Sequence, residues 1–123
     1  MKIVQKTVKV EKYDFYKIHL SIINTLIPDE DKMVNKEIEV LAAFMGLEKV
    51  LIEEDMFNTL ARKQVKTKLS LSAGGLGNHL KSLINKKHLA KNEITGRITI
   101  NPHIVPEEPV QGFQIKLIQE NGN

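Results

Sequence analysis

The chain has 123 residues, 41% hydrophobic and 27% charged with a formal net charge of +3, which is typical of one folded domain. The absence of cysteine excludes disulfides, thiolate nucleophiles and zinc sites built on cysteine, and six aromatic residues without Trp argue against a sugar-stacking site or an aromatic cage. No run of about 18 apolar residues and no apolar signal-peptide core are found, so we expect a cytoplasmic protein with no membrane partner.

The first elements in chain order are predicted to be a strand and a helix. Residues 2–10 alternate partly between apolar and polar side chains, which favours a strand. Residues 14–27 instead show apolar side chains at three- and four-residue steps, so we predict an amphipathic helix that ends at Pro28. Its expected buried stripe is Phe15, Ile18, Ile22 and Leu26.

A second helix is predicted to begin near Asn35, a good N-cap, and to end at Gly46. Its expected buried stripe is Ile38, Leu41, Phe44 and Met45. A connector over 47–55 ends in Glu53, Glu54 and Asp55. Acidic residues near the first turn of a helix are far commoner than metal ligands, so we expect no metal here and expect Asp55 to cap the next helix.

Two further helices are predicted over 56–68 and 73–86, with a short break at 69–72 between them. Their expected inward residues are Phe57, Leu60, Ala61 and Val65 in the first, and Leu76, Leu80, Leu83 and Ile84 in the second. Gly74, Gly75 and Gly77 disfavour a helix start here, since each glycine costs about 1 kcal/mol relative to Ala. An alternative therefore stays open in which 73–77 is a loop and the helix begins near Asn78.

After the helices, residues 94–100 predict a β-hairpin with a Thr-Gly turn, because Ile98 and Ile100 alternate with Thr99. Three prolines make 102–110 extended and irregular. A last strand is predicted over 112–119, where Phe113, Ile115 and Leu117 alternate with polar residues, and it is expected to pair with the N-terminal strand.

Residues 56–101, MFNTLARKQVKTKLSLSAGGLGNHLKSLINKKHLAKNEITGRITIN, combine helix, short turn, helix and hairpin. This order resembles the winged helix-turn-helix DNA-binding superfamily, and most of all small MarR- or RepL-type phage or plasmid regulators. Leu76, Leu80 and Leu83 match the inner positions of the family's recognition helix. Lys87-His88-Leu89 matches the motif that precedes the wing, with His88 where glycine is usual. The resemblance covers about residues 34–102.

The resemblance implies a mainly α fold with a small β component, a single winged-helix domain over 1–123 with an extra N-terminal helix and terminal strands. The helix-turn-helix would span 56–86 and the wing 94–101. It also implies double-stranded DNA as partner, and a role in transcription regulation or replication initiation. Many proteins of this fold act as dimers, so a homodimer through helix 14–27 or a terminal strand is left open.

The DNA-binding residues expected from this arrangement fall into three groups. In the helix after the turn, the outward positions would face the major groove, with Asn78 reading adenine and Lys81 reaching guanine or phosphate. The turn and the preceding helix would contact phosphates, and the wing tip would contact the minor groove or a phosphate. The set comprises Gly74, Gly75, Asn78, Lys81, Ser82 and Asn85, then Ser70, Ser72, Arg62, Lys63 and Lys66, and finally Arg97.

Charge is distributed in agreement with a polyanionic partner. Residues 61–103 carry nine Lys or Arg against Glu93 alone, a net of +8, whereas the flanking segments are mildly acidic. Such a block favours nucleic acid, the alternative being an ordinary solvated lysine face.

No enzyme, catalytic residue, metal or cofactor is expected. The glycine-rich stretch 72–77 continues Asn78-His79 where a P-loop needs Lys-Ser/Thr, and no zincin or nucleophile-elbow motif occurs. A second interpretation stays open, in which the domain is a protein-interaction or assembly module, such as a phage structural or packaging component, that does not read bases. The acidic flanks and residues 102–119 would then make the contacts.

Overall fold

A computed structural model describes residues 9–48, 55–106 and 119. These residues form four α-helices and one two-stranded antiparallel sheet, which confirms the predicted mainly α fold with a small β component. The elements are α1 (Lys12–Thr25), α2 (Asn35–Met45), α3 (Thr59–Leu69), α4 (Ala73–Asn85), β1 (Leu89–Lys91) and β2 (Ile98–Ile100), with short 3₁₀ helices at Asp29–Asp31 and Pro102–Ile104. The strands predicted at 2–10 and 112–119 lie outside the described residues, apart from Lys9, Val10 and Gln119, which have no regular structure.

Helix α2 lies at the centre of the molecule and packs against α1, α3 and α4. A helix that is surrounded by protein must be apolar on all sides, and α2 meets this condition from Val40 to Met45. The predicted stripe is confirmed, and Val40, Ala42 and Ala43 are buried as well. The helix begins at Asn35 as predicted, but its N-cap is Val34 rather than Asn35.

Helix α1 buries a different stripe from the predicted one. Leu20 and His19 are buried, whereas Ile18 is 51% exposed and Leu26 is 77% exposed. The other residues of α1 and its end that pack against the core are Tyr13, Tyr16, Ile23 and Ile27. Because α1 carries apolar side chains at helical spacing on two faces, periodicity does not decide which face is buried, and the contact with α2 does.

The contact between α1 and α2 is close at the C-terminal end of α2. A Cβ atom on Gly46 would lie 3.1 Å from the backbone nitrogen of Tyr13, a closer approach than nine in ten Cβ contacts in proteins. Glycine at position 46 therefore permits the two backbones to approach.

Helix α3 begins three residues later than predicted. Asp55 holds a turn by accepting a hydrogen bond from the Phe57 amide at 2.9 Å, and Asn58 caps the helix by accepting one from the Ala61 amide at 2.7 Å. Ala61 and Val65 are buried as predicted, and the Phe57 ring lies 4.6 Å from that of Phe44 between centroids. Leu60 is 47% exposed, so its predicted inward position was wrong. It is offset by about 100° from Ala61 around the helix and points away from α2.

The turn between α3 and α4 consists of residues 70–72. Ser70 adopts a left-handed conformation with φ 54°, and the Leu71 amide donates to the Lys66 carbonyl oxygen at 2.9 Å. This is the Schellman ending of a helix, in which glycine usually takes the left-handed position. Ser72 is the N-cap of α4, so only residues 70–72 separate the two helices.

Replacing Ser70 with glycine is expected to raise the free energy of unfolding by about 1 kcal/mol, because glycine adopts a left-handed conformation without the clash that a Cβ atom causes. Urea denaturation measures this change. The matched control is Gln64→Gly at an exposed position inside α3, which should lower stability by about 1 kcal/mol. Equal destabilisation by both changes would contradict the left-handed turn.

Helix α4 begins at Ala73, so the alternative in which 73–77 is a loop is wrong. The Ser72 Oγ accepts a hydrogen bond from the Gly75 amide at 3.0 Å, and Leu76 in the second turn is buried. The cap and this anchor compensate for the three glycines. Leu76, Leu80 and Leu83 are buried as predicted, and Ile84 is half-buried.

The predicted hairpin is correct in its second strand and wrong in its first. β1 pairs with β2 in the register Leu89↔Ile100, Ala90↔Thr99 and Lys91↔Ile98, so the first strand precedes residue 94. Ile94 lies in the connection, because the Asn92 Oδ1 accepts hydrogen bonds from the Ile94 and Thr95 amides at 2.8 and 3.0 Å. This side-chain turn reverses the chain earlier than the Thr-Gly pair indicated.

The connection from α4 to β1 contains a left-handed residue, Lys87, with φ 67°, directly before His88. The Lys87 and His88 amides donate to the Ile84 and Leu83 carbonyl oxygens at 3.0 Å each, again a Schellman ending. His88 is instead buried, with its Nε2 2.6 Å from the Asp31 carbonyl oxygen.

Buried His19 connects α1 to the segment after β2, with Nε2 3.0 Å from the Ile104 carbonyl oxygen. Burial lowers the pKa of His19 below its ordinary value, against a weaker opposing effect of the Ile104 hydrogen bond. A depressed pKa means that the unfolded chain takes up the proton first. The stability due to neutral His19 is therefore complete above about pH 6.5 and is lost as the pH falls further.

We therefore expect urea denaturation to show a falling free energy of unfolding between about pH 7 and pH 5, and the His19→Gln variant to show a flatter profile over this range. An identical slope in the two proteins would contradict this assignment.

Candidate nucleic-acid interface

The basic block of the sequence remains largely uncompensated in the fold. Across the described residues 9–48 and 55–106, Lys86 is the only Lys or Arg of 61–103 that forms an ion pair. Lys68 lies over the Tyr13 ring, 4.5 Å from its centroid, and the Arg62 Nε donates to the Phe57 carbonyl oxygen at 2.8 Å. The basic side chains that remain without such contacts are Lys63, Lys66, Lys81, Lys87, Lys91 and Arg97, all exposed except the half-buried Lys66.

The outer face of α4 is a continuous exposed stripe. Steps of four, three and four residues place its members on the side opposite the buried leucines. Its members are Gly74, Asn78, Lys81 and Asn85, all predicted as site residues and all exposed. Among the described residues, the side chains of Asn78, Lys81 and Asn85 have no hydrogen-bond partner, so their donors and acceptors are free for a ligand.

The glycines of this helix differ in their surroundings. A Cβ atom on Gly74 or Gly77 would meet nothing within 4 Å, whereas one on Gly75 would lie 3.1 Å from the Ser72 Oγ. Packing within the described residues therefore requires neither Gly74 nor Gly77, although each lowers helix stability by about 1 kcal/mol relative to alanine. Because these glycines lack a Cβ atom, a binding partner can approach the backbone of the first turn of α4 closely.

Three predicted site residues have structural contacts that the sequence did not indicate. Ser82 is half-buried and its hydroxyl donates to the Glu37 carboxylate, so its predicted outward position was wrong. Ser72 uses its hydroxyl as the cap of α4, and half-buried Arg62 holds the start of α3. Ser70 is exposed at the turn, as predicted, next to the first amides of α4.

A buried ion pair fixes α4 against α2. The Lys86 Nζ lies 2.6 Å from Glu37 Oε1, which also accepts a hydrogen bond from the Val34 amide at 2.8 Å. Burial by itself would raise the pKa of Glu37. The hydrogen bonds from Lys86, Ser82 and Val34, together with the charge of Lys86, outweigh burial, so the pKa is lowered and the carboxylate is ionised at neutral pH.

The hairpin adds a second exposed surface. Ala90 and Thr99 form its outer face, and Arg97 lies on the same face by the two-residue alternation of strands. The sequence placed Lys87 and Lys91 in the basic block without assigning them to the site. Lys91 is the last residue of β1 and Lys87 lies two residues before this strand, positions that were not visible before the register was known.

The described parts of the chain hold no group of three or more His, Cys, Asp or Glu residues able to bind a metal ion. Within the same parts, none of the helices has the length and apolar character needed to cross a bilayer. In comparisons with known proteins, no family model, no curated protein and no solved structure matches the chain.

Proposed function

We propose that the protein binds double-stranded DNA in a winged helix-turn-helix manner, and acts in transcription regulation or replication initiation. The observation that carries the proposal is the exposed stripe of α4. It presents two carboxamides and one ammonium group with free hydrogen-bonding capacity, on a helix that begins with a tight turn and contains no acidic residue. A helix with this surface fits the width and chemistry of a major groove.

In the proposed complex, each surface has its own task. Asn78 pairs with the N6 and N7 edge of adenine, and Lys81 reaches guanine or a phosphate. Lys63 and Lys66 on α3 neutralise the phosphates along the groove, while Ser70 and the first amides of α4 meet a phosphate at the turn. The hairpin, as the wing, places Arg97 and Lys91 on the adjacent backbone.

The glycines support the same interface. A side chain at Gly74 or Gly77 would clash with no described residue and would stabilise α4. The glycines are therefore explained by a binding partner whose surface comes close to the helix backbone. A base edge at the floor of a groove is such a surface.

The experiment that tests the proposal is a titration of a mixed-sequence duplex at several salt concentrations. The logarithm of the binding constant should fall linearly with the logarithm of the salt concentration, with a slope of about 0.9 per neutralised phosphate. The preference is the ratio of the binding constants of the tightest-binding duplex sequence and a mixed-sequence duplex. Asn78→Ala should reduce this preference by about tenfold and leave the salt slope unchanged. The absence of duplex binding at low salt would overturn the proposal.

A further inference from the structure

The connection between β1 and β2 presents one bare aliphatic side chain to solvent. Ile94 is 96% exposed, more than any other large hydrophobic residue that the structure describes. Turns favour Gly, Asn, Asp and Ser for their conformational or hydrogen-bonding properties, and isoleucine offers neither. Packing within the described residues therefore gives no reason for isoleucine at this position.

The tip is held firmly in place. Asn92 accepts the Ile94 and Thr95 amides through its side chain, and its carbonyl oxygen accepts the Gly96 amide at 2.7 Å. Its own amide donates to the Arg97 carbonyl oxygen at 2.8 Å. Single exposed aliphatic residues are common on protein surfaces, but Ile94 projects from a backbone that is already ordered, which reduces the entropy lost on binding.

The connection that carries Ile94 has a cationic residue on each side of it. Lys91 precedes the turn and Arg97 ends it, and neither forms an ion pair with any described residue. Glu93, the one acidic residue of 61–103, lies beside Ile94. An apolar tip between two free cations matches a minor groove, where an aliphatic wedge can enter between base pairs while the cations hold the flanking phosphates.

On the basis of the proposed function, we propose that Ile94 is an apolar wedge that enters the minor groove of the bound duplex, partly unstacks a pyrimidine–purine step and bends the DNA. Such steps are the easiest to unstack, so the wedge makes the protein sensitive to DNA deformability at a position where it reads no base edge. Arg97 and Lys91 anchor the phosphates on either side of the step.

The test compares two duplexes of the same base composition. Alternating poly(dA-dT) contains T–A steps throughout, whereas poly(dA)·poly(dT) contains none and is stiff. The wild-type protein should bind the alternating duplex about tenfold more tightly, which is the effect of burying one aliphatic side chain. It should also raise the fluorescence of 2-aminopurine substituted for adenine in that duplex, as unstacking does.

Ile94→Ser should lose about tenfold in affinity for the alternating duplex only, together with the fluorescence change. The matched control is Leu26→Ser, which removes an exposed aliphatic side chain from the acidic half of the chain and should change neither. Glu93→Gln should tighten binding to both duplexes, since it removes the acidic group next to the phosphates.

The outcomes separate the two proposals. If the wild-type protein and Ile94→Ser bind both duplexes equally with the same salt slope, the wedge is overturned and DNA binding stands. If the wild-type protein binds neither duplex at low salt, DNA binding fails and the wedge with it. Unchanged affinity in Glu93→Gln would place the tip away from the duplex and would also overturn the wedge.

Discussion

Replacing Lys86 with methionine is expected to lower the free energy of unfolding by about 3–5 kcal/mol, the cost of leaving a buried charge without its partner. Glu37 is only 2% exposed, and among the residues that the structure describes Lys86 is the one cation that reaches its carboxylate. The carboxylate cannot turn to water without unpacking α2 from α4. The reverse change, Glu37→Gln, should cost less, about 2 kcal/mol, because the Lys86 side chain is 22% exposed and can reach solvent.

Equilibrium urea denaturation of the two single variants and of the double variant measures the difference. The double variant should be more stable than Lys86→Met alone, because it leaves no buried charge. The pH profile gives a second readout. The lowered pKa of Glu37 gives stability above about pH 4.5 that is lost as the pH falls below this value. Lys86→Met should lose this acid-sensitive contribution. A larger loss of unfolding free energy in Glu37→Gln than in Lys86→Met would contradict the conclusion that the unpaired Glu37 carboxylate is the more costly buried charge.

Reversing the charge of Lys63, Lys66 and Lys81 together is expected to weaken duplex binding by at least about a hundredfold at low salt. Three phosphate contacts are replaced by repulsion, and the salt slope should fall by about 3, which is about 0.9 for each lost contact. None of the three side chains makes an ion pair with a described residue, so the charge reversal should leave the free energy of unfolding nearly unchanged.

The matched control for this variant carries the same change of net charge in the other half of the chain. Lys12, Lys32 and Lys36 lie on or next to α1 and α2 and form surface ion pairs. When both triple variants are compared at physiological salt, the reversal of these three lysines should reduce duplex binding far less, because the effect of distant charges is screened under that condition. Equal losses in the two triple variants would show that net charge, rather than the surface of α3 and α4, determines binding. Circular dichroism of both variants checks that each is folded.

The sequence predicted most of the helical part of the fold. The four helices appear within a few residues of their expected places, because regular apolar spacing acts locally, although Asn58 rather than the predicted Asp55 caps α3. The outward stripe of α4 followed from three buried leucines. These signals need no knowledge of the rest of the molecule.

Two of the errors depended on a partner distant in sequence. The buried face of α1 was decided by its packing on α2, and the inward orientation of Ser82 was decided by Glu37, which is 45 residues earlier in the chain. The first hairpin strand was misplaced because Asn92 closes the turn with its side chain, although Thr-Gly is the stronger pattern in the sequence. The left-handed position at Lys87 carries no sequence signal, because lysine rarely takes it.

The C-terminal end of α4 is held more rigidly than its N-terminal end. Its last turn is closed by the Lys87 and His88 amides and fastened by the Glu37–Lys86 pair, whereas its first turn and a half contain three glycines. Thermal fraying should therefore begin at Ala73 and stop before the buried Leu76, and amide protons there should exchange fastest within the helix. The N-terminal turn of α4 can thus change its conformation on binding a target while the buried leucines of the helix stay packed in the core.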